Sequence, residues 1–188
     1  MNFHQLSGWP GRWLAQLRQN WKSHTATLLI FLLLYAGLHA WQIRSVASGP
    51  APDFSAPAAG AQAASGAIDF ATWRAAHPGR AVALHFWADW CPICRTEENS
   101  ISRISRDWPV LSVAMQSGDT AHVQGVLSRR QLDWHTAVDP DGYIAKRYGL
   151  ASVPALVVVD AQGQIRFAEV GYTSEIGMRL RLWWAQTF

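Results

Sequence analysis

The stretch Phe86-Trp87-Ala88-Asp89-Trp90-Cys91-Pro92-Ile93-Cys94 decides how this chain is read, because it holds both of its cysteines. Just upstream, residues 81–87 (AVALHFW) form a short apolar run suited to a buried strand. Just downstream, Cys91 to about Ser105 reads as a helix. Pro92 fits its first turn, and Ile93, Ile101 and Ile104 can share one face. Two cysteines at i and i+3 in a first helical turn lie on the same side, so their sulfurs can bond. A helix N-terminus also carries unsatisfied N–H groups and a partial positive charge, and both favour a thiolate. Cys91 is therefore the candidate nucleophile and Cys94, one turn deeper, the resolving thiol. Such a pair exchanges thiols for disulfides in either direction.

Other uses of the pair stay open on the residues alone. A purely structural disulfide across four residues closes almost no loop and stabilises little. Zinc takes four ligands, and the chain has no second cysteine pair. A soft ion such as Cu(I) takes thiolates, so a copper-binding or copper-responsive module using Cys91 and Cys94 is the alternative function. No metal is expected, and no cofactor beyond the redox-active Cys91–Cys94 disulfide.

The surrounding pattern alternates strands and helices. Residues 110–115 read as a second strand. Residues 120–130 read as a helix with Asp119 as its N-cap. After a turn at 139–142 and a helical turn at 143–148, residues 155–160 form a β-branched strand. A hairpin turn leads to an alternating strand at 164–170, and Thr173 or Ser174 caps a last helix reaching about Ala185. This order predicts an α/β sheet with helices on its faces.

The N-terminal third is different. Between Lys22 and Arg44 lie 21 residues without Asp, Glu, Lys or Arg. A helix of that length spans roughly 31 Å, close to a bilayer's hydrocarbon core. Residues 1–24 are read as a cytoplasmic tail and 25–43 as a transmembrane signal anchor, bracketed by Trp21 and Trp41. Basic residues before the span place the rest of the chain outside, in the periplasm. Residues 44–67, rich in Ala, Gly, Pro and Ser, are read as a flexible linker, and 68–188 as the folded domain.

The net charge of +3 hides an asymmetry. Residues 1–46 hold Arg12, Arg18, Lys22 and Arg44 and no acid, leaving 12 basic against 13 acidic residues in the remainder. The folded part has no cationic excess for phosphates, so nucleic-acid binding is excluded. No Gly-rich phosphate loop, Ser-His-Asp spacing or zinc-protease motif is present.

The segment from Phe86 to Cys94, taken with Ser152-Val153-Pro154-Ala155 before the β-branched run, resembles the active site of the thioredoxin superfamily. Roughly 60 positions separate Cys94 from Pro154, with an added helix and strand between Thr120 and Val138. That insertion resembles the TlpA-like branch of membrane-anchored thiol-disulfide oxidoreductases, closest to the suppressor-of-copper-sensitivity D type. The resemblance implies a thioredoxin-like fold, a central mixed sheet flanked by helices. It implies a cis bond before Pro154, with Val153 and Pro154 facing the pair and meeting substrate backbone. Trp90 would sit beside the exposed sulfur, and Pro92 and Ile93 would influence the redox potential. Glu97, three residues after Cys94, fits the branch and could tune the pair. His85 stands six residues before Cys91, where thioredoxin itself carries a buried Asp. It could relay a proton to or from Cys94, or be a core histidine bonded to a backbone carbonyl. Ala155 replaces the acidic residue usual in cytochrome c maturation relatives, which argues against that narrow role. Implied partners are protein disulfides or dithiols and a membrane electron donor of the DsbD kind. The implied task is reduction of protein disulfides at the bacterial inner membrane.

Overall fold

The structure, a computed structural model, describes residues 21–43 and 46–188. The chain divides into an N-terminal unit ending at Arg44 and a domain beginning at Ser45. In the first unit, helix α1 (Trp21–Ile43) runs for 23 residues. It includes residues 21–24 ahead of the span expected at 25–43, and these contain no helix breaker. Leu28 to Leu34 are all exposed, and seven consecutive residues cover every side of a helix. Among the described residues no helix is long and apolar enough to cross a membrane. The side chains of Lys22, Tyr35 and residues 38–43 lie outside that description, as do residues 1–20 of the expected tail.

The domain contains strands β1 (Gly49–Pro50), β2 (Ser55–Gly60), β3 (Ala67–Asp69) and β4 (Val82–Trp87). They are followed by β5 (Val110–Met115), β6 (His135–Asp139), β7 (Ala155–Val159) and β8 (Gln164–Val170). Its helices are α2 (Phe70–Ala75), α3 (Pro92–Asp107), α4 (Thr120–Arg130), α5 (Tyr143–Arg147) and α6 (Glu175–Thr187). The strands form one mixed sheet in the order β1-β8-β7-β4-β5-β6-β2-β3. β4, β5 and β6 run parallel, and β7 lies antiparallel on the other side of β4. This is the thioredoxin-like α/β arrangement expected from the sequence.

β4 is buried at every position, as its unbroken apolar run requires of a strand covered on both faces. Its side chains alternate between two cores. Ala83 and Trp87 join Ile101 and Ile104 of α3, Val126 and Leu127 of α4, and Met178 and Leu182 of α6. Val82, Leu84 and Phe86 join Phe70 and Trp73 of α2, Ile144 of α5 and Tyr148, its C-cap. Both cores lie wholly within residues 46–188.

The linker expected at 44–67 is not a linker. Ala58 to Gly60 of β2 pair with β6, and Ser55 to Pro57 pair with β3. Gly49 and Pro50 pair with the start of β8. Phe54 is buried, stacked on Phe70 at 5.2 Å and edge-on to Tyr148 at 6.3 Å. Ala58 and Ala59 are also buried, since only a small side chain fits so close to the sheet. Gly60, at φ +74°, closes the strand against the Trp134 carbonyl, which leaves no room for a Cβ. The domain therefore starts near Val46, about twenty residues earlier than the composition suggests. Replacing Phe54 with Ala is expected to lower the unfolding free energy by about 3 kcal/mol in urea titration, as for a core aromatic. A flexible linker residue would change it by less than about 0.5 kcal/mol.

Candidate active site

β4 ends at Trp87 in the middle of the sheet, and the loop 88–91 carries the chain straight into α3. Cys91 is the N-cap of α3, in extended conformation, with Pro92 in the first turn. Its Sγ accepts the Cys94 amide at 3.2 Å, which occupies one of the unpaired donors of the helix start. Cys91 and Cys94 are joined as a disulfide, with their Cα atoms 5.4 Å apart. Among the described residues neither cysteine is free, and no group of three or more His, Cys, Asp or Glu gathers to hold a metal.

The expected partners across the site are present. The Val153–Pro154 bond is cis, and the Val153 carbonyl oxygen lies 3.7 Å from Cys91 Sγ. Pro154 is buried, and its carbonyl accepts the Gly171 amide at 2.8 Å, which ties this loop to the end of β8. Trp90, Pro92 and Ile93 are exposed around the pair. The Trp90 indole is fixed by donation to the Gln116 carbonyl at 3.0 Å. The outer sulfur is therefore framed by an aromatic ring, two apolar side chains and a backbone carbonyl, which suits an extended peptide more than a small polar ligand.

Behind the pair lies a buried polar couple. His85 and Glu97 are each 1% exposed. His85 Nε2 stands 3.4 Å from Glu97 Oε2, within ion-pair distance but without an aligned hydrogen bond. Among the described residues Nδ1 has no hydrogen-bond partner, so the alternative of a histidine bonded to a backbone carbonyl is not realised. Glu97 Oε1 accepts the Thr173 amide at 2.6 Å. Glu97 follows Cys94 by three residues on the buried side of α3, and His85 faces the same core as Cys94, Ala83 and Trp87. A buried carboxylate is costly without such partners. The couple offers an imidazole nitrogen and a carboxylate oxygen that can share one proton.

Residues that the sequence analysis does not single out also serve the site. Arg130, the last residue of α4, donates to the Asp89 carbonyl at 3.0 Å and to Glu98 at 2.7 Å. His122 meets Asp89 Oδ2 at 2.8 Å, and Ser117 Oγ accepts the Asp89 amide at 3.0 Å. Asp89 is the hub of the loop before Cys91, and nothing local in the sequence marks contacts made across 28 to 41 positions. A groove of about 970 Å³ between Trp73, Trp108 and Trp134 runs along the far half of α3 and includes neither cysteine.

Comparison with known proteins agrees with this geometry. A thioredoxin-like protein of Haemophilus influenzae is 33% identical over 106 residues, 56% of this chain and 63% of that protein. A thiol:disulfide interchange protein DsbE homolog of Paracoccus denitrificans is 28% identical over 142 residues, 73% of this chain and 78% of that one. A putative thiol:disulfide interchange protein DsbE from Chlorobium tepidum shares the fold at TM-score 0.65 and 23% identity, over 76% of this chain and 99% of that one. A secreted Mycobacterium tuberculosis disulfide oxidoreductase homologous to E. coli DsbE matches at TM-score 0.55 and 27% identity, over 69% and 93%. The sequence profile of the Redoxin family matches residues 47–179, from the first folded residues to the middle of α6. This chain belongs to the Redoxin family, in the DsbE/TlpA-like part of the thioredoxin superfamily.

Proposed function

We propose that this chain is a protein thiol-disulfide oxidoreductase that reduces disulfides of extracytoplasmic proteins through Cys91 and Cys94. The observation that carries this reading is the placement of Cys91 Sγ. It caps a helix N-terminus, is framed by Val153 and Trp90, and has its partner sulfur buried one turn below. In the reduced protein the Cys91 thiolate attacks a substrate disulfide. A mixed S–S bond forms, and the substrate's other sulfur leaves as a thiolate. The Cys94 thiol then gives up its proton and attacks Cys91 Sγ. The substrate's second sulfur leaves reduced, and the pair is left as the disulfide seen here. Two electrons pass from the pair to the substrate, so the protein needs a dithiol donor to return, of the membrane DsbD kind. His85 and Glu97 would take and return the Cys94 proton. Pro154 and Val153 would receive the substrate backbone, and Trp90, Pro92 and Ile93 would form the docking rim. The copper-ligand reading retains only two soft donors, both engaged with each other in the disulfide.

Insulin reduction driven by a small dithiol tests this assignment. Cys91→Ala is expected to lose at least 100-fold in rate. Cys94→Ala is expected to accumulate a mixed disulfide with substrate that does not resolve. Glu97→Gln is expected to slow turnover about tenfold near neutral pH and to recover as pH rises towards the free thiol value of ~8.5, where water can take the proton. Full activity in Cys91→Ala would remove the proposal, and an unchanged pH profile in Glu97→Gln would remove the proton role.

We also propose that residues 25–43 anchor the domain in the inner membrane with the active site in the periplasm. The support is the uncharged stretch between Lys22 and Arg44 and the basic residues before it. The full chain is expected to stay in the membrane pellet after alkaline carbonate extraction of cells. Its release into the soluble fraction would contradict the anchor.

A further inference from the structure

The connection between β8 and α6 carries an exposed tyrosine at the edge of the site. β8 ends at Val170, which pairs with Ala155, and Ala155 pairs in turn with Phe86 of β4. The end of β8 and the strand leading to Cys91 thus share one edge of the sheet, two strand spacings or about 10 Å apart. Beyond Val170 the chain is gripped twice. The Gly171 amide donates to the Pro154 carbonyl at 2.8 Å, and the Thr173 amide donates to Glu97 Oε1 at 2.6 Å. Tyr172, between these two grips, is 60% exposed, and among the described residues neither its ring nor its hydroxyl has a partner. Ile93, half exposed, stands one turn before Glu97 on the same side of α3, so it lies toward the Tyr172 segment.

The opposite flank is formed by Trp90. β5 runs parallel to β4 and ends on the same edge, and the carbonyl of Gln116, the next residue, holds the Trp90 indole at 3.0 Å. Trp90 is thus fixed at the end of β5 and Tyr172 at the end of β8, while Cys91 Sγ and the Val153 carbonyl, 3.7 Å apart, lie at the ends of the strands between. Three strand spacings separate β5 from β8, about 14 Å, the length of roughly four residues of extended chain. Trp90, Pro92, Ile93, Val153 and Tyr172 carry no charge. The reaction itself fixes the occupant: a chain whose sulfur bonds Cys91 has its neighbouring residues within this frame. Aromatic rings on a fixed backbone offer a large contact area at small entropic cost, and an apolar residue gains most by leaving water against them.

We propose that Tyr172 is a specificity-determining residue. With Trp90 it flanks an extended substrate segment and selects disulfides whose neighbouring residues are apolar. The proposal rests on the thiol-disulfide reading above.

The test uses the reduced full chain in phosphatidylcholine nanodiscs and stopped-flow release of nitrothiobenzoate. Two peptides carry that thiol as a mixed disulfide on a central Cys, which is flanked by Leu in one peptide and by Asp in the other. The symmetrical nitrothiobenzoate disulfide serves as the small substrate. Cys91 attacks the peptide sulfur and releases nitrothiobenzoate, and Cys94 then displaces the peptide as its thiol. The wild-type chain is expected to favour the Leu peptide over the Asp peptide. Tyr172→Ala is expected to raise the half-saturating concentration of the Leu peptide about tenfold, with the limiting rate changed less than about twofold. Its selectivity for that peptide over the small disulfide falls by the same factor, and Tyr172→Phe restores it. Tyr143→Ala removes a comparably exposed tyrosine just past the end of β6 and is expected to leave the selectivity unchanged. An unchanged half-saturation in Tyr172→Ala, a loss confined to the limiting rate, equal use of the Asp peptide, or the same loss in Tyr143→Ala would each overturn the proposal and leave the exchange reading standing. A wild-type chain that releases nitrothiobenzoate from none of the three substrates would overturn the exchange reading itself.

Discussion

The Cys94 amide donates to Cys91 Sγ across 3.2 Å, and the rest of the domain holds that first turn of α3 in place. A helix start has donors to spare, and here one of them is aimed at a sulfur. The arrangement needs a helix that begins at an edge of the core and a strand rigid enough to fix where it begins. β4 supplies the strand: it is paired on both sides and buried on both faces. The loop between them is short, and Arg130, His122 and Ser117 all bind Asp89 within it. The position of Cys91 is thus set by groups on β4, α4 and the loops around them.

The second sulfur sits in a different environment. Cys94 is enclosed by apolar residues, with the His85–Glu97 couple in the same interior. Glu97 also binds the Thr173 amide, and Gly171 binds the Pro154 carbonyl. These two bonds join α3, the cis-proline loop and the β8–α6 connection into one frame around the disulfide. Cys91 is itself only 4% exposed, at the helix start beside the exposed Trp90, Pro92 and Ile93. The proposed attack by Cys91 and resolution by Cys94 rest on this difference in surroundings.

The fold from Val82 onward was legible because its elements obey simple periods. Strands 110–115 and 164–170 and helix 120–130 match the structure residue for residue, and Asp119 caps its helix as expected. Residues 47–67 were misread because burial there comes from tertiary fit. Ala58 and Ala59 have no strand preference, and their pairing with β6, Ala59 in the α4 core and Ala58 in the α2 core, shows only in the assembled sheet. Phe54, a lone aromatic in a bland tract, was the one local signal. Cys91, Cys94 and Pro154 could be read because they fall in compact motifs. Arg130, Asp89 and Thr173 could not, because their partners lie 28 to 76 positions away.

On the proposed reading, this frame poises the pair as a reductant. The midpoint of the Cys91–Cys94 couple, equilibrated in glutathione buffers and read by alkylation of the free thiols, tests it most directly. A potential at or below about −200 mV is predicted, the range of proteins that donate electrons to disulfides. A value of about −120 mV would contradict the account and make this protein an oxidant that introduces disulfides.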